Sequence, residues 1–142
     1  NGMAITPDGK TLIVAETMGH RLTAFDILAD GGLANRRVYA QLADDVSPDG
    51  ISLDAEGGVW VASHHQVLRV REGGEVTDVV DMGTTRATAC MLGGTDGRTL
   101  LITASDTHDR AQIRANGPSG AVFTVRVPVA GAGLPSVYGA AA

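Results

Sequence analysis

Nine residues at the start of the chain, Asn1-Gly2-Met3-Ala4-Ile5-Thr6-Pro7-Asp8-Gly9, return 48 positions later as Asp49-Gly50-Ile51-Ser52-Leu53-Asp54-Ala55-Glu56-Gly57. The apolar runs that follow, Leu12 to Ala15 and Val59 to Ala62, keep nearly the same phase. A weaker third copy runs from Ala89 to the Asp96-Gly97 turn and on to Leu100-Leu101-Ile102-Thr103. A repeat of roughly 40–50 residues holding several short strands is the signature of a propeller blade. The chain therefore reads as all-β, about three blades of a β-propeller, with residues 1–142 forming one partial propeller domain.

Local chemistry supports a blade in each copy. Met3-Ala4-Ile5 and Ile51-Ser52-Leu53 alternate as a half-buried strand does, and Pro7-Asp8-Gly9 and Ala55 to Gly58 supply turns. The second strands, Thr11 to Ala15 and Val59 to Ala62, are apolar almost throughout, which suits a sheet covered on both faces. Third strands are expected at Arg21 to Ile27, Val67 to Arg71 and Ala121 to Val127, and fourth strands at Arg37 to Ala40 and Val76 to Val80. No segment shows a helical period, and 19 glycines fit a chain built of turns.

A formal charge of −5 argues against nucleic acid or an anionic membrane as partner, since both call for a basic patch. No apolar run is long enough to span a bilayer, and no signal-peptide pattern opens the chain. The single Cys90 leaves no internal disulfide, which fits a reducing, cytoplasmic setting. Asn1 already sits inside a repeat, and three blades are fewer than the roughly four to eight that close a ring. The expectation is a part of a longer protein whose N-terminal half completes the same propeller.

Asn1-Gly2-Met3, Phe25-Asp26, Asn35-Arg36-Arg37, Pro48-Asp49-Gly50-Ile51, Asp54-Ala55-Glu56-Gly57, Val59-Trp60-Val61-Ala62, Val67-Leu68-Arg69 and Leu92-Gly93-Gly94 occur in this order. That ordered set resembles the senescence marker protein (regucalcin) and gluconolactonase family over essentially the whole chain. It corresponds to the C-terminal half, with residues 131–139 resembling the family's last strand and terminus. The resemblance implies a six-bladed propeller with a divalent metal in its channel, and enzymes that hydrolyse sugar lactones or related esters.

The repeat approaches the same site from another side. The residue before each innermost strand points at a common axis, and those residues are Asn1, Asp49 and, in the third copy, Ala89. An amide oxygen and a carboxylate make a hard, oxygen-rich site for Ca²⁺, Mg²⁺ or Mn²⁺, with Zn²⁺ open to carboxylate ligands. The resemblance implies that Asn1 and Asp49 ligate the metal with a Glu from the N-terminal half, and that Asp49 is also the base. The competing reading makes Asn-Gly and Asp-Gly simple turn formers.

Other residues read as structural. Asp8, Glu56 and Asp96 lie beside turn glycines, Asp26 and Asp54 hold the fold, Trp60 packs in the core, and Cys90 is a buried small hydrophobe. Strand counting places three loops around the site entrance. They carry Glu16, Thr17, Met18 and His20; Ser63, His64, His65 and Gln66; and, in the long 104–120 segment, Asp106, His108, Asp109, Arg110 and Arg114. His20, His64, His65, His108 and Arg110 are the candidate substrate-entrance residues. His64-His65 departs from the Gly-rich stretch common in the family. The expected chemistry is metal-assisted opening of a lactone, a small-molecule substrate, with only part of the machinery on this chain. The reading from another class is a metal-stabilised, non-catalytic propeller that binds a small ligand or a protein.

Overall fold

The computed structural model describes residues 1–107, 109–117 and 119–135. Three antiparallel sheets follow one another along the chain. The first holds β1 (Met3–Ile5), β2 (Thr11–Glu16), β3 (Arg21–Ile27) and β4 (Leu33–Gln41) in that spatial order. The second repeats the plan with β5 (Ile51–Leu53), β6 (Val59–Ser63), β7 (Gln66–Val70) and β8 (Val76–Asp81). The third has β9 (Arg86–Gly93), β10 (Thr99–Ser105) and β11 (Gly120–Arg126). Each sheet is a meander, and β1, β5 and β9 lie side by side, as innermost blade strands do around a propeller axis. The hairpin joining the first two strands of each blade closes on a glycine in the left-handed region: Gly9, Gly57 and Gly97, with φ of 70°, 79° and 70°.

Strand periodicity explains how the blades adhere. Every residue of β6 is buried because its two faces serve two cores. Val59 and Val61 turn toward the first blade and pack with Ile13, Ala15, Leu22, Leu68 and Val70. Trp60 and Ala62 turn the other way, into a cluster with Val67, Cys90, Leu100 and Ile102. The alternation of period two thus makes the middle blade the glue of the molecule. The outer blades are covered on one side only. Ala4 packs inward while Met3 remains 66 % exposed, and Leu100 and Ile102 are sealed while Met91, in the same blade, is 67 % exposed.

One expectation needs correction. The long segment before β11 contains a helix, α1 (Arg110–Asn116), where no helical period was read. It spans 7 residues and buries none of them, so no apolar stripe announces it. Asp109 caps it, its Oδ1 accepting from the N–H of Ala111 at 2.7 Å and of Gln112 at 3.2 Å. The expected last strand reduces, within the described residues, to a bridge between Gly131 and Asp54, extended by Ala132 N–H donating to the Leu53 carbonyl. Residues 136–139 of that expectation lie outside the described residues. Among the described residues no helix is long and apolar enough to cross a membrane.

Candidate functional site

The site begins with two glycines. A Cβ at Gly2 would stand 2.5 Å from the Asp49 carbonyl oxygen, and one at Gly50 would stand 2.5 Å from the Ala89 Cβ. Only glycine lets neighbouring innermost strands come this close. Gly2 N–H then donates to Asp49 O at 3.0 Å, and Gly50 N–H to Thr88 O at 3.0 Å, one blade further round. The Asn1 amino group donates to Ala15 O at 2.8 Å, matching Asp49 N–H to Ala62 O at 2.9 Å. Asn1 and Asp49 are therefore equivalent residues of adjacent blades. The paired glycines serve close approach here rather than a turn.

The same hydrogen-bond pattern corrects the third copy. Gly2 bonds to Asp49 as Gly50 bonds to Thr88, so the third equivalent is Thr88, one residue before Ala89. A bulge causes the slip: Ala89 pairs with Thr103 and Ala87 with Ala104, leaving Thr88 unpaired between them. Its hydroxyl bonds to the Thr103 carbonyl at 3.1 Å, so the third position carries an oxygen after all.

Side-chain geometry separates the two candidate ligands from their surroundings. Asn1 Nδ2 donates to Thr17 Oγ1 at 3.3 Å, and Thr17 Oγ1 donates to Pro48 O at 2.7 Å. This leaves the amide oxygen of Asn1 as the side chain's remaining acceptor. The half-buried Asp49 carboxylate accepts no hydrogen bond from any described residue. No group of three or more His, Cys, Asp or Glu able to hold a metal occurs among the described residues. An amide oxygen and a carboxylate placed just before adjacent innermost strands fit a hard cation as two of its ligands.

Asp49 lines a cavity of about 190 Å³ together with Thr17, Ser47, His64, Arg86 and Ala87. His64 and Arg86 also border a wider recess of about 640 Å³ that takes in Asp45, His65 and Asp81. His64 and His65 form the two-residue turn between the paired Ser63 and Gln66, with His64 at φ 47°. An L-residue there costs about 1–2 kcal/mol. The turn is pinned by Ser63 Oγ accepting from Ser47 N–H at 2.9 Å and by His64 O accepting from Ala87 N–H at 2.6 Å. Arg86 Nη2 lies 2.6 Å from His64 Nδ1. A guanidinium only donates, so Nδ1 is the acceptor and the imidazole is neutral.

The remaining predicted residues serve other ends. His20 also has a left-handed backbone, φ 48°, and its Nδ1 donates to Val46 O at 2.8 Å, tying the loop after β2 to the approach to β5. His65 is exposed at the recess, Arg110 opens α1 in solvent, and His108 lies outside the described residues. Ser105 and Gly120, the ends of the long loop, border a cavity of about 440 Å³ beside Thr88, which puts the ends of that loop on the face of the Asn1, Asp49 and Thr88 positions. Asp106 and Arg114 are exposed, and Asp109 is occupied as the helix cap. Arg86, Ser47 and Thr88 were missed by sequence reasoning. Arg86 follows no motif and reaches the cavity only through the placement of β9.

The carboxylates read as structural are tied up. Asp54 accepts from Arg69 Nε at 2.6 Å in a buried pair and from the N–H groups of Glu56 and Gly58, both at 2.9 Å. Glu16 is bonded by Thr23, Arg21 and Arg36, which in that order pull its carboxyl down to about 2. Asp26 is held by Asn35 and Arg37, and Asp96 by Arg126 and Arg98 N–H; both titrate below the usual carboxylate range. Burial pushes the Cys90 thiol up to about 12, which rules it out as a nucleophile at neutral pH.

Comparison with known proteins agrees with this fold. Residues 1–106 match the family model described as SMP-30/Gluconolactonase/LRE-like region. A 6-deoxy-6-sulfogluconolactonase of Pseudomonas putida is 34% identical over 98% of this chain and 50% of its own, and the regucalcin of Gallus gallus is 33% identical over 88% and 44%. A calcium-binding regucalcin from Agrobacterium tumefaciens superposes with a TM-score of 0.76 at 28% identity, covering 95% of this chain and 48% of that one. A gluconolactonase from Xanthomonas campestris does so at 0.65 and 27%, covering 90% and 37%. The chain spans about half the length of the curated relatives it matches. It is three blades of a β-propeller and belongs to the SMP-30/gluconolactonase/LRE-like family.

Proposed function

We propose that this chain is the C-terminal half of a six-bladed ring that hydrolyses sugar lactones with the help of a divalent cation, Ca²⁺, Mg²⁺, Mn²⁺ or Zn²⁺. The observation that carries this reading is the equivalence of Asn1 and Asp49 just before adjacent innermost strands, each with an oxygen that no described residue engages. Asn1 Oδ1 and the Asp49 carboxylate would hold the cation, with a Glu from the other half as a further ligand. The cation, when bound, polarises the lactone carbonyl and stabilises negative charge on its oxygen.

The chain's own residues supply the proton chemistry. The Asp49 carboxylate takes a proton from the attacking water as the new C–O bond forms. The ring C–O bond then breaks and the proton passes to the departing alkoxide, leaving the hydroxy acid. Thr17 keeps the Asn1 amide from rotating its nitrogen toward the cation, and the Ser63–Ser47 bond fixes the wall opposite. Half of the machinery lies outside residues 1–142, so the isolated chain should open lactones poorly.

The test is hydrolysis of glucono-δ-lactone by the full-length protein, followed by acid release. Activity lost to a chelator and restored by one of the four cations supports the reading. Tight cation binding with no lactone opened, across aldonolactones and aliphatic lactones, would leave the metal-stabilised binding module.

A further inference from the structure

Arg86 lines the cavity that also contains Asp49, and its guanidinium forms no ion pair with any described residue. Among the described residues no carboxylate comes within ion-pair distance of its guanidinium, although Asp45 and Asp81 border the same recess. Arginines elsewhere in the blades meet carboxylates: Arg21 and Arg36 with Glu16, Arg37 with Asp26, Arg69 with Asp54, Glu56 and Asp78, Arg71 with Glu56, and Arg126 with Asp96. Arg86 instead leans on a neutral acceptor, His64 Nδ1, at 2.6 Å. Its half-buried side chain has a buried Nε–H with no partner. An unneutralised guanidinium with an orphan donor is unfavourable as a structural device, because a buried donor left unbonded costs about 1–3 kcal/mol. It is well suited to meeting a planar anion, which accepts from two N–H groups at once.

His64 is what aims it. The imidazole sits in a left-handed turn where glycine would be less strained, and its carbonyl is bound by Ala87, the residue after Arg86. Two bonds thus connect the β6–β7 turn to the start of β9, one by backbone and one by side chain. Strain held at a cavity wall by such bonds marks a position kept for what it points at.

We infer that Arg86, positioned by His64, is a specificity residue that binds a carboxylate or other anionic group carried by the sugar lactone, away from the carbonyl that is opened. This rests on the lactonase reading above. Asp49 and Arg86 line one cavity, so a substrate reaching both has its reacting carbonyl beside Asp49 and its anion at Arg86.

The experiment compares glucono-δ-lactone with the carboxylate-bearing lactone of glucaric acid in the full-length protein, unaltered and as Arg86→Gln and Arg86→Lys. The ratio of kcat/KM for the acidic over the neutral lactone should fall at least tenfold in Arg86→Gln, mainly through KM, since a hydrogen bond to a charged group is worth that factor. Arg86→Lys should recover part of it. His64→Gly, which relieves the turn but removes the acceptor, should lower the same ratio by a smaller factor. Equal losses for both lactones in Arg86→Gln would make Arg86 a scaffold residue and overturn the inference, as would an unchanged ratio. If the unaltered protein opens neither lactone, the lactonase reading fails by itself. Calorimetric titration with glucarate and gluconate then still decides: tighter glucarate binding that Arg86→Gln abolishes supports the anion site, and identical binding of the two acids refutes it.

Discussion

At the scale of residues, the contrast between Glu16 and Asp49 shows how neighbours assign roles to carboxylates only a few strands apart. Glu16 is saturated by one hydroxyl and two guanidinium groups and held near 2, against an ordinary value of 4.5. A carboxyl lowered on folding contributes stability that is fully present above its unfolded value and lost as pH falls through the folded one. The difference in Tm between the unaltered protein and Glu16→Gln should therefore be largest above about pH 5 and shrink between pH 4.5 and about 2. A pH-independent difference would show that Glu16 acts through packing alone. Gly50 is the sharper case, because a methyl group there has only the Ala89 Cβ and backbone to displace. Gly50→Ala should destabilise by about 1–3 kcal/mol or more by overpacking, read from denaturant unfolding, while Gly57→Ala tests only the cost of a left-handed turn. Equal costs at the two positions would contradict the close-approach role.

Elements are held by fewer interactions than their number implies. The Asp54–Arg69 pair is sealed, its side chains 0% and 4% exposed, and it locks the β5–β6 turn to β7. Asp54→Ala removes the buried partner of Arg69 and leaves it only the more exposed Glu56 and Asp78, which should cost about 3 kcal/mol, whereas Asp96→Ala, on an exposed pair, should cost far less; urea unfolding of both variants checks the order. The loop 104–120 is the opposite kind of element, with no residue of α1 buried. If it selects substrate, shortening it should reorder lactones by kcat/KM and leave cation affinity intact, and an unaltered order would make it a solvated insertion. These contrasts also explain what the sequence disclosed. Strands and turns were legible because period two and Asp-Gly turns recur in phase, and Asn1 and Asp49 were legible because they begin that phase. Thr88 was displaced by one residue because a bulge alters register without leaving a pattern. Arg86 was invisible because its partner, His64, is 22 residues away and no spacing joins them. The helix escaped because a short exposed helix needs no apolar stripe.

For the whole molecule, the middle blade is sealed on both faces and the outer two are not. Met3 and Ile5 on one side, and Met91, Leu101 and Val122 on the other, are apolar and open to water. The isolated 142-residue chain should therefore associate through these faces or lose fixed packing, as light scattering and calorimetry would show. A monodisperse monomer with one sharp transition would mean that the open faces need no neighbour. The central claim is that two adjacent blades each give one oxygen ligand to a cation on the ring axis. Calorimetric titration of the full-length protein with Ca²⁺ and Mn²⁺, unaltered and as Asp49→Ala, tests it most directly. The account predicts one site per chain in the unaltered protein, and its loss in the variant together with lactone hydrolysis. Unchanged cation affinity in Asp49→Ala would contradict it.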